Sequence, residues 1–181
     1  MAGIYVPQAA EGFEFCHPER QEDFETLHVT LDGTPRQATW RSPPMRLIRE
    51  DEGRSLAKSD SPWLGSHALL FRRQALGELE ALLLSYGELL PVACSEPDLV
   101  FFNVTRVLDA LNEQASSILR LSSGRMMLVT RHAFHPEIVS GVDIFKIPSL
   151  RVSPTFVSKR FVERVNAVGL RGLVFNKVWS G

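Results

Sequence analysis

The sequence predicts an α+β domain with a mixed or antiparallel sheet, two principal helices and a strand-rich N-terminal arm. Three observations support this prediction. Short apolar runs rich in β-branched and aromatic residues recur along the chain, and two longer stretches repeat apolar residues at helical spacing. The two kinds of segment do not alternate regularly, as they would in a parallel β/α fold. A chain of 181 residues normally forms one domain, so we expect a single unit over residues 1–181.

The first sixty residues are expected to supply the strand-rich arm. Residues 26–31 (TLHVTL) alternate polar and apolar side chains before an Asp-Gly turn signal, which predicts a strand entering a hairpin. Residues 36–40 are the candidate return strand, and residues 45–48 form another short apolar stretch. Residues 50–62 are charged and rich in turn formers, which predicts a surface loop.

The longer predicted helix lies within residues 72–87 (RRQALGELEALLLSYG). Its apolar positions recur at spacings of three, four and three residues: Leu76, Leu79, Leu83 and Tyr86. Gly87 stands where such a helix would stop, whereas Gly77, inside it, costs about 1 kcal/mol. Residues 89–93 then predict a strand, and Pro91 indicates a sheet edge or a strand start.

The rest of the chain predicts buried strands and a compact C-terminal unit. The strands are expected at residues 99–105, 126–130 and 142–147, with a short helix or turn at residues 107–114. In the terminal unit, Ser158 can cap a helix and Gly169 can end it, before a last strand at residues 173–179. The apolar face of this helix comprises Phe161, Val162, Val165 and Val168.

No motif for catalysis, cofactor binding or metal binding is evident, so we expect no catalytic, cofactor or metal site. His132, His135 and Glu137 could form a metal site, but they follow a strand and no helix presents both imidazoles on one face. Cys94 lies in no known cysteine-enzyme signature, and Gly65-Ser66-His67 lacks the spacing of a serine nucleophile elbow. The three tryptophans are widely spaced, which favours core anchors over a stacking platform: Trp40, Trp63 and Trp179.

Charge is distributed unevenly, although the formal net charge is only −1. Six acidic residues face one base, Arg20, near the front: Glu11, Glu14, Glu19, Glu22, Asp23 and Glu25. Seven basic residues face one acid, Glu163, near the end: Lys146, Arg151, Lys159, Arg160, Arg164, Arg171 and Lys177. Each cluster is either a solvated surface or a surface that steers a charged partner. The total charge does not favour direct binding to nucleic acid or to a membrane.

The N-terminal segment, the apolar runs and the cysteines of the sequence together indicate the cellular compartment. The start has no basic segment followed by a continuous apolar one, and no apolar run approaches the roughly 20 residues that span a bilayer. The two cysteines, Cys16 and Cys94, do not suggest a secreted disulfide framework, so we expect free thiols. Together these features predict a cytoplasmic protein.

Four segments, in order, resemble the family-eleven immunity proteins of bacterial polymorphic toxin systems. They are LLFRRQALGELEALLLSYGELLPV, LVFFNVTRVLDALNEQAS, FHPEIVSGVDIFKIPSL and PTFVSKRFVERVNAVGLRGLVFNKV. The resemblance covers roughly residues 63–178, with its most specific part at the end, and residues 1–60 match none of the family's segments. We therefore expect a family-like core over residues 63–178 and a divergent part over residues 1–60.

The resemblance implies a non-catalytic protein that binds and neutralises a cognate toxin, a nuclease being a frequent partner in such systems. Because a nuclease carries positive charge to hold phosphates, acidic residues are the expected contact, and the six acids of residues 11–25 are the predicted partner-binding residues. A competing acidic set lies on or beside the longer predicted helix: Glu78, Glu80 and Glu88. Two rival functions are a regulatory or adaptor domain and an enzyme of unfamiliar type built from Asp109, His132 and Cys94.

Overall fold

The structure is a computed structural model that describes residues 3–150 and 152–181. These residues contain short strands and four helices, which confirms the α+β class. The strands are β1 (Gly3–Ala9), β2 (Phe15–Pro18), β3 (Met45–Ile48), β4 (Glu50–Asp51), β5 (Arg54–Ser55), β6 (Leu69–Arg72), β7 (Gly87–Pro91), β8 (Leu99–Val104), β9 (Ser117–Arg120), β10 (Met126–Arg131), β11 (Ile144–Phe145), β12 (Phe156–Ser158) and β13 (Leu173–Ser180). The helices are α1 (Glu22–Thr30), α2 (Leu79–Leu84), α3 (Pro136–Val139) and α4 (Lys159–Ala167). In these residues, all paired strands are antiparallel to their neighbours.

The first strand of the chain lies inside a sheet whose other strands come from the C-terminal part. The order of this sheet is β11-β12-β1-β13. Strand β1 pairs with β12 at Ile4 and Tyr5, and with β13 along its whole length, from Gly3 opposite Ser180 to Ala9 opposite Leu173. Because β1 separates β12 from β13, its removal would leave both strands with an unpaired edge in the interior of the sheet.

A second sheet, in the order β6-β8-β7, separates two hydrophobic clusters. Every residue of β6 and β8 is buried, which confirms the strand predicted at residues 99–105. Side chains of β8 alternate between the two sides, as strand geometry requires. Val100 and Phe102 join the cluster beneath α4, whereas Leu99 and Phe101 join the cluster beneath α1.

Three clusters form the core, and each is contacted by one tryptophan. The first cluster packs beneath α2 and α4, the second lies around β10, β11 and β12, and the third packs against α1 and β3. Trp63, Trp179 and Trp40 are partly buried against the first, second and third cluster respectively. The prediction that the tryptophans anchor the core is therefore confirmed.

The strand predicted at residues 26–31 is wrong, because these residues belong mainly to helix α1. Leu27 and Leu31 are both buried, and a spacing of four places them on one side of the helix. Acidic residues in the first turn also favour a helix start, since they interact with the exposed backbone N–H groups. The predicted return strand at residues 36–40 is likewise absent, and these residues form turns and irregular structure.

The single long helix predicted at residues 72–87 is also wrong. Gly77 has φ of +50°, in the left-handed region, and separates a 3₁₀ turn at Arg73–Ala75 from the short helix α2. Gly87 begins strand β7, where a Cβ atom would lie 2.1 Å from the carbonyl oxygen of Asn103. It is therefore required for close strand pairing and does not act as a helix stop. Pro91 ends β7 at the sheet edge, as predicted.

Other predictions are confirmed only in part. Residues 126–130 form most of β10, but only Met126 and Val129 of this strand are buried. The strand predicted at residues 142–147 shortens to β11, and residues 107–114 contain isolated bridges but no helix. The predicted loop at residues 50–62 includes the β4–β5 hairpin, and two of its serines are buried: Ser59 and Ser61.

The C-terminal unit matches its prediction closely. The Ser158 hydroxyl accepts a hydrogen bond from the Phe161 N–H at 3.1 Å and caps α4. Gly169 has φ of +70°, and the Leu170 N–H returns to the Val165 carbonyl at 3.3 Å. Phe161 and Val165 are buried in the first cluster, whereas Val168, predicted on the same face, lies beyond the helix end and is exposed. Among the described residues, none of the helices has the length and apolar character needed to cross a bilayer.

Candidate functional site

The six predicted partner-binding acids occupy different environments. Glu14 is completely buried, and Asp23 is partly buried. The other four are exposed: Glu11, Glu19, Glu22 and Glu25. Glu11 lies in the turn between β1 and β2, apart from the acids around α1. The structure therefore brings together only Glu19, Glu22, Asp23 and Glu25, which we call the acidic helix surface.

The buried Glu14 carboxylate is bound by two arginines, the buried Arg72 and the exposed Arg49. Its Oε1 atom lies 2.6 Å from Nη1 of Arg72 and accepts a hydrogen bond from the Ser59 N–H at 2.9 Å. Its Oε2 atom accepts from Nε of Arg49, also at 2.9 Å. Arg72 is itself almost completely buried. Because a buried carboxylate requires such partners, Glu14 has a structural environment and does not face solvent.

Glu96 completes a cluster of two acids and two bases. Its carboxylate accepts hydrogen bonds from Arg72 at 2.8 Å and from Arg49. Burial alone would raise the pKa of Glu96, but the two arginines outweigh this effect and hold the pKa below its usual value. No local sequence pattern singles out Arg49, Arg72 and Glu96, since their positions along the chain are unrelated to any motif.

The acidic helix surface surrounds the start of α1. The Glu19 N–H donates to the Pro44 carbonyl at 2.9 Å, which fixes the approach to the helix. Glu22 and Glu25 share the exposed face of α1 with Val29, which is 43% exposed. Glu25 also lies 3.7 Å from Nδ1 of His28. The helix thus presents carboxylates around an apolar side chain, an arrangement suited to contact with a basic protein surface.

The competing acidic set near α2 is mostly engaged in internal contacts. Glu88 accepts hydrogen bonds from the Arg36 N–H at 2.8 Å and from Nδ2 of Asn103 at 3.0 Å. Glu80 pairs with Arg73, and Glu78 is exposed. These contacts connect residues 34–37 to the β6-β8-β7 sheet, so Glu80 and Glu88 are engaged in contacts within the protein.

The residues of the rival enzyme hypothesis do not share one cluster. His132 stacks with Phe134 at 5.8 Å between ring centroids, in the second cluster, and burial lowers its pKa. Cys94 packs against the third cluster, and Asp109 is exposed. His135 lies 3.5 Å from Glu137, but among the described residues no group of three potential metal ligands is present.

The two cysteines are neighbours in space although 78 positions apart in sequence (94 − 16). Burial, together with its hydrogen-bonded neighbour Cys94, raises the pKa of Cys16 to about 12. Both are free thiols, as predicted. Cys16 is therefore a weakly nucleophilic core residue.

The basic residues near the end of the chain are not all on the surface. Lys146 is buried, and its ammonium donates to the carbonyls of Leu31 and of His67, the latter at 2.8 Å. Burial lowers the pKa of Lys146 to about 8, although Asp32 opposes this shift. Arg151 lies outside the described residues. The other basic residues of this run are exposed: Lys159, Arg160, Arg164, Arg171 and Lys177.

Comparison with known proteins bears on the C-terminal half of the chain, which contains strands β8 to β13 and helices α3 and α4. The family model for immunity proteins, Imm11, matches residues 93–180. These residues match the Imm11 immunity protein family. The predicted resemblance is thus confirmed, with a match that begins at residue 93 rather than near residue 63. No curated protein matches the sequence.

The Imm11 match and the acidic helix surface occupy different parts of the sequence. The acidic residues precede residue 93, in the part that the family model does not match. Even so, residues of that part complete the matched one: β1 pairs with β12 and β13, Arg72 and Arg49 bind Glu96, and Leu31 accepts from Lys146.

Replacing Glu14 tests whether its role is structural. Glu14→Gln should lower the free energy of unfolding by about 3–5 kcal/mol, because it leaves Arg72 buried without its full countercharge. Glu11→Gln, an exposed change in the same acidic run, should stay within about 0.5 kcal/mol of wild type. Urea unfolding of both variants measures the difference, and equal stabilities would contradict the buried cluster.

Acid should destabilise the fold through His67. Burial, His28 and Lys146 together lower the pKa of His67 to about 3, and its Nε2 atom has no hydrogen-bond partner among the described residues. In the unfolded chain, His67 takes up a proton near pH 6.5, whereas in the folded protein it stays neutral until the pH is near 3. The free energy of unfolding therefore decreases as the pH falls from 6.5 toward 3, by up to about 1.4 kcal/mol per pH unit. Urea unfolding at pH 7 and pH 5 should show a loss that His67→Asn reduces. His135→Asn, at a histidine side chain that is 40% exposed, should retain the wild-type loss, and identical losses in all three proteins would contradict the assignment.

Proposed function

We propose that this protein is a non-catalytic immunity protein that binds a cognate toxin and neutralises it by forming a stable complex. The match of residues 93–180 to the Imm11 immunity protein family is the observation that carries this proposal. The separate locations of Cys94 and His132 also fit a binding protein better than the rival enzyme.

The toxin is proposed to act in the cytoplasm. The two cysteines of the sequence do not form a pattern typical of a secreted disulfide framework, which supports this compartment. A toxin that acts in the same compartment as its inhibitor would threaten the producing cell directly. Cytoplasmic targets include nucleic acids, which a nuclease degrades.

A nuclease is the class of toxin that the acidic helix surface fits best. Nucleases hold phosphates with lysine and arginine, and four carboxylates around the start of α1 would attract such a surface. This contact accelerates association by steering, and salt weakens it. Neither nucleic acid nor a membrane is a direct partner in this proposal.

The proposal can be tested with the catalytically inactivated product of an adjacent toxin gene. Wild-type protein should bind it in the purified state, and co-expression should protect cells from the active form. Failure of both binding and protection would overturn the proposed function.

Charge reversal at the acidic helix surface tests its steering role. The triple variant Glu19→Lys, Glu22→Lys and Asp23→Lys should associate with the toxin about tenfold more slowly at low salt, and its rate should depend less on salt. Stopped-flow association at low and high salt measures both effects. Circular dichroism checks that α1 and the fold persist.

The β4–β5 hairpin offers a control with the same change in charge. This hairpin carries three exposed acidic residues, Glu50, Asp51 and Glu52. They lie beyond the Ile48 end of β3, whereas the Glu19 N–H donates to the Pro44 carbonyl at the opposite end of that strand. Their replacement by Lys should slow association much less than the α1 triple variant. Equal slowing by both triples would show that only the total charge matters.

A further inference from the structure

The β9–β10 hairpin differs from the other sheets because one of its faces covers the core and the other is apolar and exposed. Strands β9 and β10 pair only with each other among the described residues. Val129 and Ile118 lie opposite each other and face the second cluster, together with Met126. This inner face holds the hairpin on the rest of the molecule.

The outer face carries a cross-strand pair of leucines. Leu119 and Leu128 are opposite in the register, and each is 49% exposed. Met127 lies at a register shift beside them and is 54% exposed. These three side chains are among the most exposed large apolar residues described, and we call them the hairpin patch. A contiguous apolar surface of this kind commonly marks a protein–protein contact.

The hairpin patch has a basic border. Residues 117–131 contain Arg120, Arg125 and Arg131 but no aspartate or glutamate. Glu113, just outside this range, lies 2.5 Å from Arg120 and neutralises only one of the three charges. A cleft of about 200 Å³ opens next to Met127 and Arg125, between the hairpin and Leu150, and can receive a side chain.

We propose that the hairpin patch is the surface that anchors a protein partner whose facing surface is apolar at its centre and acidic at its border. This inference rests on the proposed function, because it takes the partner to be the toxin, and it concerns a region of the toxin separate from the basic phosphate-binding surface proposed to face α1. The apolar centre would slow dissociation, whereas the arginines would select acidic residues around it.

Three other occupants fit the hairpin less well. Two copies of the patch would bring like charges together, which disfavours self-association. A membrane-inserting hairpin needs an apolar tip, but residues 122–124 are Ser-Ser-Gly. Single-stranded nucleic acid is usually held by aromatic stacking, and residues 117–131 contain no aromatic residue.

The test combines Leu119→Thr with Leu128→Thr, because threonine retains strand propensity and removes apolar contact area. Binding to the catalytically inactivated product of the adjacent toxin gene is measured by surface plasmon resonance. The double variant should dissociate at least about tenfold faster than wild type, with a similar association rate. A wild-type dissociation rate would overturn the inference and leave the proposed function intact, whereas absent binding by wild type would overturn the proposed function.

A matched control changes two exposed valines elsewhere. Val168→Thr combined with Val174→Thr removes apolar area from residues that are 40% and 47% exposed, and should leave the dissociation rate unchanged. Equal acceleration by both double variants would overturn the inference. If thermal melting shows that the leucine double variant is unfolded, Met127→Thr replaces it, with faster dissociation expected and a wild-type rate overturning the inference.

Two further measurements decide between occupants. Arg125→Glu should weaken toxin binding more than Arg54→Glu, an exposed change on β5. Sedimentation of the wild-type protein alone should show a monomer, and flotation with vesicles containing phosphatidylserine should show no binding. Self-association or vesicle binding that the leucine double variant abolishes would overturn the inference in favour of that occupant.

Discussion

The insertion of β1 between β12 and β13 is the constraint on which the rest of the structure depends. Strand β1 satisfies backbone groups on both of its neighbours, and Ile4 places a buried side chain in the second cluster. The segment that matches the Imm11 family therefore completes its sheet with a strand that the match does not include. The N-terminal part, which lies outside the match, is thus structurally continuous with the matched part.

Buried charges connect the same two parts of the chain. Glu14 and Arg72 are buried together. The Lys146 ammonium donates a hydrogen bond to the carbonyl of Leu31, the residue that follows α1. Buried ion pairs contribute little net stability compared with apolar replacements, but breaking one is costly. We infer that these groups fix the position of α1, and hence of the acidic helix surface, relative to the core. In the proposed complex, the acidic helix surface would then rest on a rigid support.

The elements that could be predicted from sequence are those in which local signals and packing agree. Ser158, the apolar face of α4 and Gly169 all specify the same helix, and the structure contains it. In residues 26–31 the local pattern is ambiguous. The alternation of polar and apolar residues predicts a strand, but the same residues also place Leu27 and Leu31 on one face of a helix. Packing against the third cluster decided between the two, and no local pattern contains that information.

The candidate site was predictable only in part for a similar reason. Sequence located a dense acidic run, and the structure gathers four of its members around α1. The burial of Glu14 depends on Arg72, 58 positions away (72 − 14), so it is a property of the fold alone. The hairpin patch was missed because residues 126–130 have the composition of a buried strand, while β10 exposes Met127 and Leu128.

Titration of toxin activity tests most directly whether this protein acts by binding. Increasing amounts of the protein are added to a fixed concentration of the active toxin, well above the dissociation constant of the complex. The binding account predicts that residual activity falls linearly and reaches its minimum at an equimolar ratio. Complete and lasting inactivation by a small fraction of an equivalent would show turnover and would contradict the account.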